Sequence, residues 1–207
     1  MKIAVIADEQ AKEELLAQGL ATGTAVEWLA EPMAVPGAEC YIDLLFLPEQ
    51  ERINKLFALQ PALLIVNSTT ATLQQLTSIT VRINGWPGFL KRPLLEASGM
   101  DEQAKATAEK IFSVFNKNIE WVPDIPGFIT ARVIGMIINE AYFTLEEKVS
   151  SKEAIDTAMK LGTNYPFGPF EWSEKIGLKG VHELLVAMSE TNSRYTPSAL
   201  LTKEAVA

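Results

Sequence analysis

The feature that most constrains this chain is a change in the rhythm of its apolar residues near position 123. Before that point, apolar runs of strand length alternate with patterns of helical period; after it almost every pattern is helical. Alternation of the first kind implies a mostly parallel sheet with crossover helices. The run Pro123-Asp124-Ile125-Pro126-Gly127 punctuates the change, and the sequence reads as two domains, residues 1–123 and 124–207.

Within the first domain, strands are expected at residues 2–7, 25–29, 42–47, 62–66, 81–86, 94–97 and 118–122. A helix carrying Leu15 and Leu16 on its apolar face follows the first strand and ends near Gly19. Pro48 suits a first helical turn and opens a helix to about residue 59, where Ile53, Leu56 and Phe57 share a face. Residues 72–79 read as a short helix and residues 101–115 as an amphipathic one, with Ala104, Ala108, Ile111, Phe112 and Phe115 at helical spacing. In the second domain helices are expected at residues 128–148, 151–161, 170–176 and 179–188, with Gly162 as a C-terminal cap.

Charge and composition narrow the chemistry. Eighteen Lys and Arg against twenty-six Asp and Glu give a net charge of -8, so the field of the molecule repels phosphate backbones and anionic lipid. No nucleic-acid partner and no membrane are expected. A single cysteine, Cys40, excludes an intrachain disulfide, and a single histidine, His182, excludes a zinc site of the usual Cys/His kind. The opening MKIAVIADEQ has too short an apolar run for a signal peptide or a spanning helix, and the expected location is cytoplasmic.

The second domain carries a recognisable series of motifs. Asp124-Ile125-Pro126-Gly127-Phe128-Ile129, Asn139-Glu140-Ala141, residues 155–162 (IDTAMKLG), Tyr165-Pro166-Phe167-Gly168-Pro169-Phe170-Glu171 and Arg194-Tyr195-Thr196-Pro197-Ser198 occur in that order. Together they resemble the C-terminal helical domain of 3-hydroxyacyl-CoA dehydrogenases, of the type shared with 6-phosphogluconate dehydrogenase. The resemblance implies a Rossmann-like α/β domain, here shortened, followed by an all-α domain. It also implies NAD as cofactor, an acyl-CoA-like ligand and a homodimer formed through the helical domain.

The same resemblance locates the parts a working enzyme of this family would need. Its Rossmann domain places a G-x-G-x-x-G turn after the first strand, where the glycines let backbone N–H groups approach the cofactor pyrophosphate. Here the strand runs into Ala7-Asp8-Glu9-Gln10-Ala11, and no glycine precedes Gly19. Glu31, just after the second strand, falls where an acidic residue would hold the ribose hydroxyls; a solvated loop carboxylate is the plainer reading. Residues 65–70 (IVNSTT) resemble the family's strand-end hydroxyl motif and put Thr69 at the position that contacts the substrate oxygen. Residues 82–89 (RINGWPGF) resemble the segment carrying the general base, and Pro87 stands at the histidine position. Glu96 resembles the glutamate that pairs with that histidine, and Ala131 occupies the position of a site asparagine.

Thr69 and Glu96 thus read as vestigial catalytic residues, and Glu31 as a weak cofactor contact. Three readings stay open. One is a degenerate homologue that keeps the fold but not the redox reaction, binding an acyl-CoA-like ligand or a paralogue. The second is an active NAD-dependent 3-hydroxyacyl-CoA dehydrogenase with a non-standard site. The third is a non-enzymatic dimeric interaction module, in which Tyr165, Phe167, Phe170 and Trp172 form an aromatic cluster that reads first as packing.

Overall fold

A computed structural model describes all residues, 1–207, and its chain forms two compact units, Met1–Phe128 and Ile129–Ala207. The first unit is built on seven strands: β1 (Lys2–Ile6), β2 (Ala25–Leu29), β3 (Cys40–Asp43), β4 (Leu63–Asn67), β5 (Val81–Ile83), β6 (Leu94–Gly99) and β7 (Asn118–Trp121). They lie in the order β2-β1-β3-β4-β5-β6-β7, parallel throughout except for β5 against β6. Helices α1 (Glu9–Leu16), α2 (Gln50–Phe57) and α3 (Glu102–Ser113) belong to this unit.

Both faces of the sheet are covered, which is why β1 reads as an unbroken apolar run. Ile3 and Val5 point to one layer with Leu15, Ile42, Ile65, Phe112 and Phe115. Ala4 and Ile6 point to the other, with Tyr41, Leu64, Val66, Leu76 and Ile79. Asp101 caps α3, its side chain accepting from Ala104 N at 2.8 Å.

The usual dinucleotide-binding sheet has the order 3-2-1-4-5-6. Deleting its third strand and renumbering gives the order 2-1-3-4-5 with which this sheet begins. The crossover from β2 to β3, residues 30–39, contains no helix. The sheet is therefore Rossmann-like but trimmed at the β2 edge, and the reversal of chain direction still falls between β1 and β3.

Several expected elements differ. The third strand was expected at 42–47, but it ends at Asp43, whose carboxylate accepts from Leu45 N at 3.1 Å and turns the chain out of the sheet. The helix expected at 72–79 is a series of turns. Its buried Leu73, Leu76 and Ile79 recur every third residue and mimic helical spacing, while Leu73 N and Gln74 N donate to the Asp124 carboxylate. The fifth strand stops at Ile83 because Asn67 takes both the amide and the carbonyl of Gly85.

The second unit consists of α4 (Thr130–Glu146), α5 (Lys152–Thr163), α6 (Pro169–Ile176), α7 (Leu178–Ser189), a 3-10 turn at Ser193–Tyr195, and α8 (Ala199–Ala205). Helix α4 packs on α6, α7 and α8, burying Ile134, Ile138 and Tyr142. Buried Asn139 fixes the segment before α8: its Nδ2 donates to Thr196 O at 3.0 Å and its Oδ1 accepts from Ser198 N at 2.8 Å. Gly162 lies inside α5 rather than capping it; Asn164, in the left-handed region at φ 56°, ends the helix, as asparagine tolerates that conformation. No helix is long and apolar enough to cross a membrane.

Candidate functional site

In open α/β sheets the ligand position lies beyond the carboxyl ends of the strands, where the strand order reverses. A cavity of about 170 Å³ occupies that place. It is lined from α1 by Asp8, Gln10, Ala11 and Glu14, from beyond β3 by Leu44 and Leu45, and from the far side by Asn67, Gly85, Pro87 and Leu90.

The side chains of Asp8, Glu14 and Asn67 at this cavity are already engaged. Asp8 caps α1, with Oδ1 accepting from Ala11 N at 2.8 Å. Glu14 accepts from Gly88 N with both carboxylate oxygens, at 2.9 Å each. Asn67 donates to Leu44 O and Gly85 O and accepts from Gly85 N. Gly85 is required here by space, since a Cβ on it would stand 2.8 Å from the Asn67 amide carbon.

The residues singled out from sequence fall as follows. Pro87 lines the cavity, and its neighbour Gly88 holds Glu14. Glu96, on β6, accepts from Asn84 Nδ2 at 3.2 Å, and the backbones of the two residues also meet, Asn84 N donating to Glu96 O at 2.9 Å. Thr69 is 7% exposed, and its carbonyl accepts from Gly127 N at 2.8 Å. Neither Thr69 nor Glu96 lines the cavity. Glu31 is exposed and pairs with Arg52 at 3.5 Å. Arg52 also binds the buried Asp43 through two hydrogen bonds, at 2.7 and 2.8 Å. Burial pushes the Asp43 carboxyl up against the lowering effect of that guanidinium. Ala131 is buried in the first turn of α4, and His182 is half-buried on α7. In the second unit Phe167 and Trp172 meet edge-on at 4.9 Å, Phe170 packs on Tyr142 at 5.1 Å, and Tyr165 is 37% exposed.

Glu14 and Lys117, and the contacts made by Asn67 and Arg82, emerge only from the structure. Buried Arg82 donates to Asp124 (2.5 Å), Ser68 O (3.1 Å) and Ile125 O (2.7 Å), and its guanidinium lies 4.2 Å from the Phe128 ring centre. Lys117, 2% exposed, donates to Leu90 O at 2.7 Å and Arg92 O at 2.9 Å. Burial pulls its amine down to about 8, opposed by the Glu14 charge.

These residues do not fit a dinucleotide. The glycine spacing, counted from the end of β1, falls on Ala7, Glu9 and Lys12. The Asp8 carboxylate already occupies the helix amide that a phosphate oxygen would need, and no cation is among the lining residues. The space is also below the roughly 300–1,000 Å³ of ordinary ligand pockets.

A trimmed Rossmann-like sheet followed along the chain by an all-α unit defines the fold class. Residues 127–206 match the family profile described as 3-hydroxyacyl-CoA dehydrogenase, C-terminal domain. A 3-hydroxybutyryl-CoA dehydrogenase of Bradyrhizobium diazoefficiens is 29% identical over 184 residues, covering 80% of this chain and 63% of that protein. One from Clostridioides difficile is 33% identical over 156 residues, covering 70% and 55%. The crystal structure of (S)-3-hydroxybutyryl-CoA dehydrogenase from Ralstonia eutropha superposes with a TM-score of 0.77 at 16% identity, over 98% of this chain and 92% of that one, which shows a shared fold. The chain belongs to the 3-hydroxyacyl-CoA dehydrogenase family. It spans less than two thirds of the length of these two curated relatives.

Proposed function

We propose that this chain is a cytoplasmic 3-hydroxyacyl-CoA dehydrogenase homologue that does not carry out NAD-dependent oxidation of 3-hydroxyacyl-CoA. On this reading it serves as a homodimeric binding protein for an acyl-CoA-like ligand or for a paralogue. The observation that carries the proposal is the pairing of Glu96 with Asn84, beside a loop whose base position is Pro87. A carboxylate that would orient an imidazole instead accepts from a neutral amide, and proline has no proton to accept or give. Losing a general base alone removes roughly a hundred- to ten-thousand-fold in rate.

Dimerisation through the second unit is the part of this reading that the resemblance of residues 127–206 to the family's C-terminal domain supports.

The deciding experiment is a spectrophotometric assay with 3-hydroxybutyryl-CoA and NAD at high protein concentration, with sedimentation in parallel. We expect no absorbance change above buffer and a dimer. Turnover would replace this reading with that of an active dehydrogenase of non-standard site, and a monomer would remove the dimeric part.

A further inference from the structure

The missing glycines do not exhaust what separates this crevice from a phosphate-binding one. Glu14 lies on the face of α1 toward the cavity, and its carboxylate holds Gly88 N through both oxygens. Gln10 Nε2, one turn earlier, donates to the same carboxylate at 3.4 Å. Gly88 sits at φ 85°, a conformation open to glycine that lets its N–H face α1. The rest of the loop is held from other elements: Asn67 on Gly85, Lys117 on Leu90 O and Arg92 O, and Gln18 Nε2 on Lys91 O at 2.9 Å. The loop lining the crevice is thus pinned to α1, and the pin itself carries a negative charge into the cavity.

We infer that Glu14 keeps a dinucleotide out of the crevice of the first unit, by strapping the Pro87-Gly88 loop to α1 and holding a carboxylate on the crevice wall. The consequence is a crevice closed to a dinucleotide even when the glycine turn is supplied and the Asp8 cap is removed. The inference rests on the proposed function only in taking this chain as one that does not hold NAD in the crevice.

Three proteins spanning residues 1–207 test it by calorimetric titration with NADH: the unaltered chain, the variant Ala7→Gly/Asp8→Ala/Glu9→Gly/Lys12→Gly, and that variant with Glu14→Ala added. We expect the first two to show no saturable binding up to the highest NADH concentration used and the third to bind with a Kd at least about tenfold below that concentration. Hydrogen exchange at the Gly88 amide, followed by NMR in the unaltered chain and in Glu14→Ala alone, reads the strap directly should the glycine-rich variants fail to fold. There we expect at least about tenfold faster exchange in the variant. Equal behaviour of the two glycine-bearing proteins, whether both bind or neither does, overturns the inference. So does NADH binding by the unaltered chain, or a Gly88 amide indifferent to Glu14→Ala. Dehydrogenase turnover by the unaltered chain needs NAD in the crevice and would end both readings, whereas a Gly88 amide indifferent to Glu14→Ala, with no turnover, would end only the inference.

Discussion

Asp156 and Gly168 occupy each other's space: a Cβ on Gly168 would stand 2.3 Å from the Asp156 carboxyl carbon. The carboxylate needs that approach to reach the start of α6, where Oδ1 accepts from Phe170 N at 2.8 Å and Oδ2 from Glu171 N at 3.2 Å. It caps α6 from α5, a role Gly168 at the N-cap position cannot fill with a side chain of its own. Removing the carboxylate with Asp156→Ala is expected to cost about 0.5–2 kcal/mol, as for other N-caps. Gly168→Ala is expected to cost more, because it evicts the carboxylate and crowds a buried site, about 1–3 kcal/mol for the crowding alone. In the double variant the two losses should fall short of additive, which urea denaturation of the four proteins would show.

Arg82 is the largest buried cation, and Asp124 is its carboxylate partner at 2.5 Å. Asp124→Ala leaves a buried guanidinium with only carbonyl acceptors, and the expected loss is about 3–5 kcal/mol. Arg82→Met with Asp124→Ala removes both charges and is expected to recover part of that loss. Chemical denaturation of the single and double variants checks the order.

Lys117 gives the stability a pH dependence of known sign. Its amine titrates near 8 in the folded chain, below the ordinary lysine value of 10.5. Between those values the unfolded chain binds more protons than the folded one, so unfolding free energy rises with pH, by at most about 1.4 kcal/mol per pH unit. Below pH 8 the contribution is flat. The urea midpoint of the unaltered chain should therefore rise relative to that of Lys117→Met between pH 7.5 and 9.5. Parallel pH profiles would contradict the assignment.

Restoring the missing base is not expected to restore turnover. Pro87→His puts an imidazole beside Gly88, but Glu96 is engaged by Asn84 and the crevice does not fit the dinucleotide. The substitution also frees the unfolded chain, with an expected loss of about 0.4–1 kcal/mol. Assay with 3-hydroxybutyryl-CoA and NAD, together with a melting curve, reads both effects.

What could be read from the sequence was what is local. Strand β1 announces itself by the apolar run Ile3–Ala7 and β2 by Ala25–Leu29, interrupted only by Glu27, and the absent glycines and Pro87 are visible as single letters in a recognisable frame. The third strand misleads because Leu44, Leu45, Phe46 and Leu47 continue the apolar run after Asp43 has turned the chain away. The false helix at 72–79 has the same kind of origin, since Leu73, Leu76 and Ile79 are buried from turns. The crevice was least legible. Glu14 meets Gly88 across 74 positions and Lys117 meets Leu90 across 27, and no spacing rule connects residues that only the sheet brings together.

The anchoring of residues 124–128 also fixes where this chain can be divided. The motif that opens the second region in sequence is held by the first in space: Arg82 binds the Asp124 carboxylate and Ile125 O and stacks on Phe128, and the compact units part only after it. A fragment ending at Val122 would bury a guanidinium with no counter-charge. One ending at Phe128 keeps its whole shell, so anyone swapping helical domains between relatives should join the pieces after Phe128, two residues past the start of the family match at 127.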